Sequence, residues 1–295
     1  MSHSELELLI RILTSQPPLP LDVRAQREGF EKFAAFAPVP FDGRCSKLDA
    51  GGVAAEFVAA PGADADRTVL YLHGGGYAIG SIATHRLLAY NLSRASGARC
   101  LVLDYRLAPE QPFPAALDDA TTAYRWLLAQ GHAASRIAIA GDSAGGGLAV
   151  ASLLRLRDEG AALPAMGLCL SPWTDLAGTG DSLRRCAASD PLVTSKIIEW
   201  MAGLYAGQTD RKHPYLSPLY ADFKGLPPLT IQVSSTEALL DDSLRLAERA
   251  HAAGVKVSLE VAPNMLHVWQ LYAIMLGEAR EAIGRAGQAI RSALG

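Results

Sequence analysis

One short glycine-rich motif holds the side chain with the clearest chemical potential in the sequence. Gly141-Asp142-Ser143-Ala144-Gly145 follows an apolar run that ends at Ala140 and precedes a helical pattern. A serine on a sharp turn from strand to helix adopts a strained backbone conformation, and glycines two residues away on either side leave room for that turn. The motif predicts that Ser143 is a nucleophile, placed at a helix N-terminus, that attacks an acyl carbonyl.

A second motif could stabilise the negative charge that such an attack creates. His73-Gly74-Gly75-Gly76-Tyr77 follows the first strongly apolar run. Consecutive glycines expose backbone N–H groups that can bind the oxyanion of a tetrahedral intermediate. We expect the N–H groups of Gly75, Gly76 and Ala144 to form this oxyanion hole, with Gly74 as an alternative to one of them. The motif has neither the lysine of a P-loop nor the spacing of a dinucleotide-binding fingerprint.

The serine needs a base, and only two histidines follow it at a sufficient distance. In folds of this kind the chain order is serine, acid, histidine, and the histidine follows the last strand. His251 lies in a helical pattern and is expected at the surface. His267 follows a predicted strand that ends near Val261, so it is the predicted base. His73 is expected to orient its own loop by hydrogen bonding.

Three carboxylates follow the penultimate predicted strand and compete for the role of the acid. Glu237 lies nearest the end of that strand. Asp241 and Asp242 fall in the first turn of the next helix, where capping and the helix dipole explain acidic residues without catalysis. Position therefore favours Glu237, and Asp241 stays open as the alternative.

The elements that must position these residues follow an alternating pattern from about residue 66. Short apolar runs alternate with helical patterns, which is typical of a mostly parallel sheet flanked by helices. Strands are predicted at 68–72, 100–103, 137–140, 166–170, 229–233 and 255–261, with an extra edge strand at 53–59. Helices are predicted at about 83–96, 114–130, 144–159, 240–253 and 268–293.

Two segments do not fit this alternation and are predicted to form a cap. Residues 1–40 suggest two helices interrupted by Pro17-Pro18-Leu19-Pro20, and residues of about 172–215 lack a strong strand signal. Ligands bind at the carboxyl ends of the strands in such sheets, so both segments are expected to cover that edge. The predicted division is a helical cap segment at 1–40 and a catalytic domain at 41–295 that contains the inserted segment.

Composition excludes several other classes of protein. The 295 residues are 49% hydrophobic and 19% charged, with a net charge of −3, and basic residues do not cluster as nucleic-acid binding would require. No apolar run reaches the length of about 18 residues that a membrane helix needs. The acidic N-terminus does not resemble a secretory signal, which favours a cytoplasmic protein. The four cysteines lack metal-binding spacing, and Cys186 is expected to be a surface thiol. We expect neither metal nor cofactor.

The motifs together resemble the hormone-sensitive-lipase-like bacterial esterases, also called family IV carboxylesterases. The resemblance covers nearly the whole chain after about residue 40. It rests on the two glycine motifs, on His267 and on three further segments: Asp104-Tyr105-Arg106-Leu107-Ala108-Pro109-Glu110, Pro112 with Pro114, and Ser217-Pro218-Leu219. It implies the α/β-hydrolase fold with an eight-stranded core, an N-terminal helical cap and metal-free hydrolysis of carboxylic esters.

The sequence departs from this family at the acid. Many members have Asp-Pro-Leu there, whereas this chain has Glu237-Ala238-Leu239. Aligning the shared Leu239 places Glu237 at the family's acid position. The extra methylene of glutamate changes the reach of the side chain and not its charge, so Glu237 can orient an imidazole as an aspartate does.

The expected function is hydrolysis of short-chain acyl esters through an acyl-enzyme intermediate. The expected partner is a small ester, with a possible homodimer formed through strand 255–261. Chain-length preference is expected to depend on apolar residues of the inserted segment, namely Trp173, Trp200, Met201 and Tyr205. Amidase, lactonase and arylformamide hydrolase activities use the same triad and stay open. A non-catalytic small-molecule receptor is a further alternative, which the presence of His267 disfavours.

Overall fold

A sheet of eight strands forms the centre of the protein. The computed structural model describes residues 3–15, 20–34 and 42–295. The strands are β1 (Arg44–Asp49), β2 (Ala54–Ala59), β3 (Asp64–Leu72), β4 (Ala98–Leu103), β5 (Ile137–Asp142), β6 (Met166–Leu170), β7 (Leu229–Ser234) and β8 (Val257–Ala262). They lie in the order β1-β2-β4-β3-β5-β6-β7-β8. Strands β3 to β8 run parallel, and β2 pairs antiparallel with β1 and β4. The prediction of a mostly parallel sheet of about eight strands is confirmed.

Helices cover both faces of this sheet. They are α1 (His3–Thr14), α2 (Val23–Ala34), α3 (Ile82–Ser96), α4 (Ala115–Ala129), α5 (Ala144–Asp158), α6 (Ser182–Arg185), α7 (Ser195–Ala206), α8 (Leu240–Ala252) and α9 (Gly277–Leu294). Side chains alternate between faces along a strand. On β3, Leu70 and Leu72 join the core that contains residues of α4, α5 and α8, whereas Val69 and Tyr71 join the core beneath α3 and α9. Burial on both faces explains why the central strands are almost continuously apolar.

Three sequence-based expectations about these elements were wrong. The strand predicted at 53–59 is β2, which is not the edge strand, because β1 pairs outside it. The helix predicted at 268–293 is interrupted: a 3₁₀ turn spans Trp269–Tyr272 and α9 begins only at Gly277. Cys186 is not a surface thiol, since it is only 5% exposed.

The parallel strands bring five chain segments to one edge of the sheet. The residues that follow β3, β5, β6, β7 and β8 begin there with His73, Ser143, Ser171, Ser235 and Pro263. The glycine loop (residues 73–77), Ser143 and the loops that contain Glu237 and His267 therefore meet at this edge, although almost 200 residues separate the first from the last.

Helix α2 is fastened over the glycine loop by one arginine. Arg27 donates from Nε to the Ala78 carbonyl at 2.8 Å and from Nη2 to the Ala108 carbonyl at 3.0 Å. Its guanidinium also makes a bidentate ion pair with Glu110. The two expected N-terminal helices are present as α1 and α2, while residues 16–19 and 35–41 lie outside the described part of the chain. The division into a cap segment at 1–40 and a catalytic domain stays a prediction.

The inserted segment between β6 and β7 is fastened by a buried carboxylate on α8. Asp242 Oδ2 accepts hydrogen bonds from the backbone N–H groups of Thr174 at 2.7 Å and Asp175 at 2.8 Å. Asp242 is 2% exposed. Burial raises the pKa of Asp242 to about 7, against the effect of the Thr174 N–H, and the nearby Asp175 carboxylate adds to the rise. This fastening is therefore sensitive to pH near neutrality.

No helix in residues 3–15, 20–34 and 42–295 has the length and apolarity needed to cross a membrane.

The raised pKa of Asp242 predicts a pH-dependent stability. The pKa of Asp242 is higher in the folded state than its ordinary value of 3.8, so protonation of this carboxyl group stabilises the folded state at low pH. This contribution to the free energy of unfolding is lost as pH rises through about 7. Asp242→Asn retains an oxygen acceptor without the charge. We expect this variant to raise the melting temperature more at about pH 8 than at about pH 5, by at least the ~2 °C that corresponds to 1 kcal/mol in a domain of this size.

The matched control for this experiment is Asp210→Asn, at an exposed aspartate that accepts one backbone hydrogen bond. Its effect on the melting temperature is expected to be equal at both pH values. An effect of Asp242→Asn that is also independent of pH would show that Asp242 does not titrate in this range.

Candidate active site

Ser143 lies on the sharp turn that the sequence predicts. Its backbone has φ 52° and ψ −121°, a combination that non-glycine residues rarely adopt. A Cβ on Gly141 would lie 2.2 Å from the Gly145 carbonyl oxygen, and a Cβ on Gly145 would lie 2.0 Å from the Leu72 carbonyl oxygen. Neither position can hold a side chain, so the two glycines are a requirement of the turn. Ser143 stands at the N-terminus of α5, facing the cavity described below.

Glu237 and His267 form a buried pair at the same edge. Their atoms Oε1 and Nδ1 are 2.8 Å apart. Glu237 is fully buried and His267 is 8% exposed. The second carboxylate oxygen, Oε2, accepts hydrogen bonds from the Ser234 N–H at 2.8 Å and from the Ser171 hydroxyl at 2.7 Å. Both oxygens of the Glu237 carboxylate are therefore held by hydrogen bonds. The nitrogen of His267 that it contacts, Nδ1, is the one that the acid of a Ser-His-acid triad contacts.

The charge of Glu237 decides the proton affinity of His267. Burial lowers the pKa of His267, but the attraction and hydrogen bond of the Glu237 carboxylate, with smaller contributions from Asp190 and Asp142, more than offset this effect. The net result is a pKa above the ordinary value of 6.5. A histidine with a raised pKa accepts a proton readily, as a general base must.

The other two candidate acids lie elsewhere and fasten the inserted segment. Asp241 accepts a hydrogen bond from the Ser182 N–H at 2.9 Å and forms an ion pair with Arg185 at 2.9 Å. Asp242 binds the backbone at Thr174, as described above. The structure therefore brings Glu237 to His267 and assigns the two aspartates to contacts of the segment that follows β6.

Two residues of the glycine loop line the same cavity as Ser143. Gly75 has φ 114° and Gly76 has φ 60°, and both glycines line the cavity with Ser143. The N–H of Gly74 is already used, because it donates to Asp142 Oδ1 at 3.0 Å. Ala144 is the first residue of α5, where a backbone N–H has no acceptor within the helix. This geometry favours Gly75, Gly76 and Ala144 over Gly74 as oxyanion donors.

A buried polar network beneath the glycine loop was not predicted from the sequence. Asp142 accepts hydrogen bonds from the Tyr71 hydroxyl at 2.7 Å and from Gly74, and His85 Nε2 lies 3.2 Å from its Oδ2. Burial raises the pKa of Asp142, but His85 and the hydrogen bonds lower it below its ordinary value. Asp142 is adjacent to Ser143, the predicted nucleophile, and this position in the sequence could have identified it. No sequence signal identifies His85.

His73 is neutral and packed within this network. Burial, together with the neighbouring His85, lowers the pKa of His73 to about 3. Its Nδ1 lies 2.8 Å from the Gly74 carbonyl oxygen, and its ring stacks on Tyr105 with centroids 4.2 Å apart. These contacts fit the expectation that His73 orients its own loop.

A cavity of about 560 Å³ opens beside Ser143 and His267. Its walls come from both segments that were expected to form a cap. Its apolar side chains include Ile12, Leu13 and Phe30 from the N-terminal helices and Trp173, Leu192, Val193, Ile197, Ile198 and Met201 from the inserted segment. Trp173 and Met201 therefore lie where expected, whereas Tyr205 stacks on Tyr77 with centroids 3.8 Å apart, and Trp200 packs against the core.

Within the described residues, no cluster of histidine, cysteine or acidic side chains could hold a metal ion.

Comparison with known proteins identifies the family. A family model described as the α/β-hydrolase fold matches residues 69–271. The crystal structure of an esterase from the bacterial hormone-sensitive lipase family has a TM-score of 0.96 at 48% identity, over 100% of both chains. The chain belongs to the α/β-hydrolase family, among its hormone-sensitive-lipase-like carboxylesterases. This result confirms the resemblance drawn from the sequence motifs, and the protein is a carboxylic ester hydrolase.

Further relatives match this α/β-hydrolase over most of both chains. An acetyl-hydrolase from Streptomyces hygroscopicus is 49% identical over 245 residues, which cover 83% of this chain and 82% of that protein. An ethyl acetate hydrolase from Pseudomonas putida is 35% identical over 238 residues, covering 78% and 74%. A crystal structure of EstE5 soaked with p-nitrophenyl butyrate has a TM-score of 0.94 at 47% identity, over 99% of both chains.

The raised pKa of His267 predicts the acidic limb of the pH profile of this hydrolase. The imidazole must be neutral to accept a proton, so kcat/KM is expected to fall as pH decreases through a value above 6.5. Glu237→Gln removes the attraction and leaves burial to lower the pKa. This variant should lose up to about 10⁴-fold in kcat/KM and move the limb to lower pH.

The control is Asp241→Asn, which removes the alternative acid. Its pH profile for hydrolysis of a p-nitrophenyl ester is expected to match that of the parent protein. The reverse result would assign the role of the acid to Asp241. In that case Asp241→Asn would shift the acidic limb of the kcat/KM profile and Glu237→Gln would leave it unchanged.

Proposed function

We propose that this carboxylesterase hydrolyses short-chain acyl esters with Ser143 as nucleophile, His267 as base and Glu237 as acid. Gly75, Gly76 and Ala144 supply the oxyanion hole. The observation that carries the proposal is the 2.8 Å contact between His267 and Glu237, next to a cavity that Ser143 also lines. A buried acid, a base and a strained serine on three loops of one sheet edge are the parts of a Ser-His-acid triad.

Hydrolysis proceeds in two steps. His267 accepts the proton of Ser143 as the serine oxygen attacks the ester carbonyl, and the three backbone N–H groups stabilise the oxyanion that forms. His267 then gives the proton to the departing alcohol, which leaves an acyl group on Ser143. In the second step His267 takes a proton from water, and the resulting hydroxide attack releases the carboxylic acid and returns the proton to Ser143. Glu237 holds the imidazole in the required tautomer throughout.

The cavity supports a neutral substrate of modest size. Among the described residues that line it, no lysine or arginine is present to bind an anionic group. Its walls are chiefly aliphatic and aromatic, as expected for a site that binds an apolar acyl chain. The names of the acetyl-hydrolase and ethyl acetate hydrolase relatives also refer to a two-carbon acyl group. These observations together support short acyl chains.

Other sequence-based expectations stay predictions. The cytoplasmic location is one of them. The homodimer is another: β8 lies at the sheet edge with Leu259 38% and Val261 42% exposed, which supports pairing between two copies through this strand. The amidase, lactonase, arylformamide hydrolase and receptor alternatives gain no support from the comparisons.

Removal of the nucleophile tests the proposed mechanism. Ser143→Ala deletes the oxygen that forms the acyl-enzyme, and hydrolysis of p-nitrophenyl butyrate is expected to fall by about 10⁴-fold or more. The melting temperature should change little, because only the small hydroxyl of one side chain is removed. A folded Ser143→Ala protein with near-parental turnover would contradict the assignment of the nucleophile.

A series of p-nitrophenyl esters tests the substrate class. We expect kcat/KM to be highest for acetate to butyrate esters and to decline for longer acyl chains, because a cavity of about 560 Å³ limits chain length. The measurement compares acetate, butyrate, octanoate and palmitate esters at equal concentration. A rate that continues to rise from acetate to palmitate would contradict the proposal of short chains and leave the triad assignment intact.

A further inference from the structure

Ser171 lies between the acid and the loop of the base, although no sequence motif marks it. It is the first residue after β6 and is fully buried. Its hydroxyl donates a hydrogen bond to Glu237 Oε2 at 2.7 Å. The hydroxyl oxygen of Ser171 also accepts a hydrogen bond from the N–H of Val268, the residue after His267, at 3.2 Å. One hydroxyl therefore connects the acid to the backbone beside the base, because a serine oxygen can donate and accept at once.

The backbone on both sides of this bridge is strained. Ser171 has φ 48°, in the left-handed region. Val268 has φ 48° and ψ 50°, and a β-branched residue is an outlier there. Such conformations persist only where the surrounding contacts hold them in place. The Ser171 hydroxyl is one of these contacts, since it binds the Val268 N–H directly.

Ser171 is itself fixed to the sheet. Its N–H donates to the Gln232 carbonyl on β7 at 2.7 Å, which continues the pairing of β6 with β7 past the end of the strand. The hydroxyl is therefore presented from a rigid part of the fold. Glu237 and His267, by contrast, lie on loops beyond the ends of β7 and β8.

The second contact of Glu237 Oε2 differs from this bridge. It comes from the backbone N–H of Ser234, the last residue of β7, three residues before Glu237. That bond restrains the carboxylate relative to the end of the strand that precedes it. The Ser171 hydroxyl ties the carboxylate to the residue that follows β6 and, through the Val268 N–H, to the residue next to His267.

We propose that Ser171 is a positioning residue for ester hydrolysis: its hydroxyl fixes the orientation of the Glu237 carboxylate relative to His267. Ser171 contacts neither substrate nor nucleophile in this role and acts through Glu237. The inference rests on the proposed triad of Ser143, His267 and Glu237. Its consequence is that loss of the hydroxyl lowers kcat by misorienting the imidazole and leaves the substrate cavity unchanged.

The experiment measures kcat and KM for p-nitrophenyl butyrate with the full chain. Ser171→Ala and Ser171→Gly are made in the parent protein and in Glu237→Gln. Both remove the hydroxyl, and glycine also accepts the positive φ without strain, which provides a second variant if the alanine protein folds poorly. The matched control is Ser152→Ala, which deletes an equally buried hydroxyl that donates to the Leu148 carbonyl within α5.

In the parent protein, both Ser171 variants are expected to lower kcat by about 10- to 100-fold with KM changed by less than about twofold. In the Glu237→Gln background the same substitutions are expected to cost less than about threefold, because the group through which Ser171 acts is already impaired. Ser152→Ala is expected to lower only the melting temperature.

Three results would overturn the inference. One is parental turnover in Ser171→Gly. A second is an equal loss of kcat from the Ser171 substitutions in both backgrounds, which would indicate a structural effect independent of Glu237. The third is full activity of Glu237→Gln itself, which would also refute the proposed triad. An impaired Glu237→Gln protein with a fully active Ser171→Gly protein would leave the triad standing and reject only the role of Ser171.

Discussion

A carboxylate without access to water must be surrounded by hydrogen-bond donors, and this requirement organises the catalytic edge of the sheet. Glu237 is fully buried, and its two oxygens face His267, Ser171 and the backbone of Ser234. An ionised side chain that lost these partners would destabilise the fold by several kcal/mol. The segments that follow β6, β7 and β8 therefore all contact, or contain, the Glu237 side chain. The geometry that the proposed proton transfer needs is also the geometry that stabilises the buried carboxylate.

The same requirement recurs around the cavity. Asp142 binds the glycine loop at Gly74, and Asp242 binds the inserted segment at Thr174. Asp190, which is 4% exposed, accepts hydrogen bonds from the N–H groups of Leu192 and Val193 in the cavity wall and from Ala238, the neighbour of Glu237. Each buried carboxylate fastens a segment that has no regular secondary structure. Irregular loops at this edge are held by side-chain acceptors in place of the ladders that hold the strands.

The sequence was informative wherever local pattern and chain order determine the structure. The turn at Ser143 needs glycines at fixed positions, and the central strands are apolar because both faces are buried. Strand β1 was missed because Arg44–Asp49 is polar and mostly exposed, so it has no apolar signal. The contacts of His85 and Ser171 could not be predicted, since each joins residues 57 or 66 positions apart in the chain. The choice of Glu237 over Asp241 followed from its position at the end of the strand and from alignment with the family, whereas the Ser171 and Ser234 contacts that hold its carboxylate had no sequence signal.

The close approach of α7 to the glycine loop has a consequence for how this enzyme can change. A Cβ on Gly76 would lie 1.9 Å from the sulfur of Met201, so the cap helix rests directly on a proposed oxyanion donor. Met201 also lines the cavity that receives the substrate. In the proposed mechanism, one side chain therefore forms part of the wall that selects the acyl group and part of the surface that supports the reacting carbonyl. Selection for a different substrate at this position would act on the rate constant of the chemical step as well, so the two properties would evolve together.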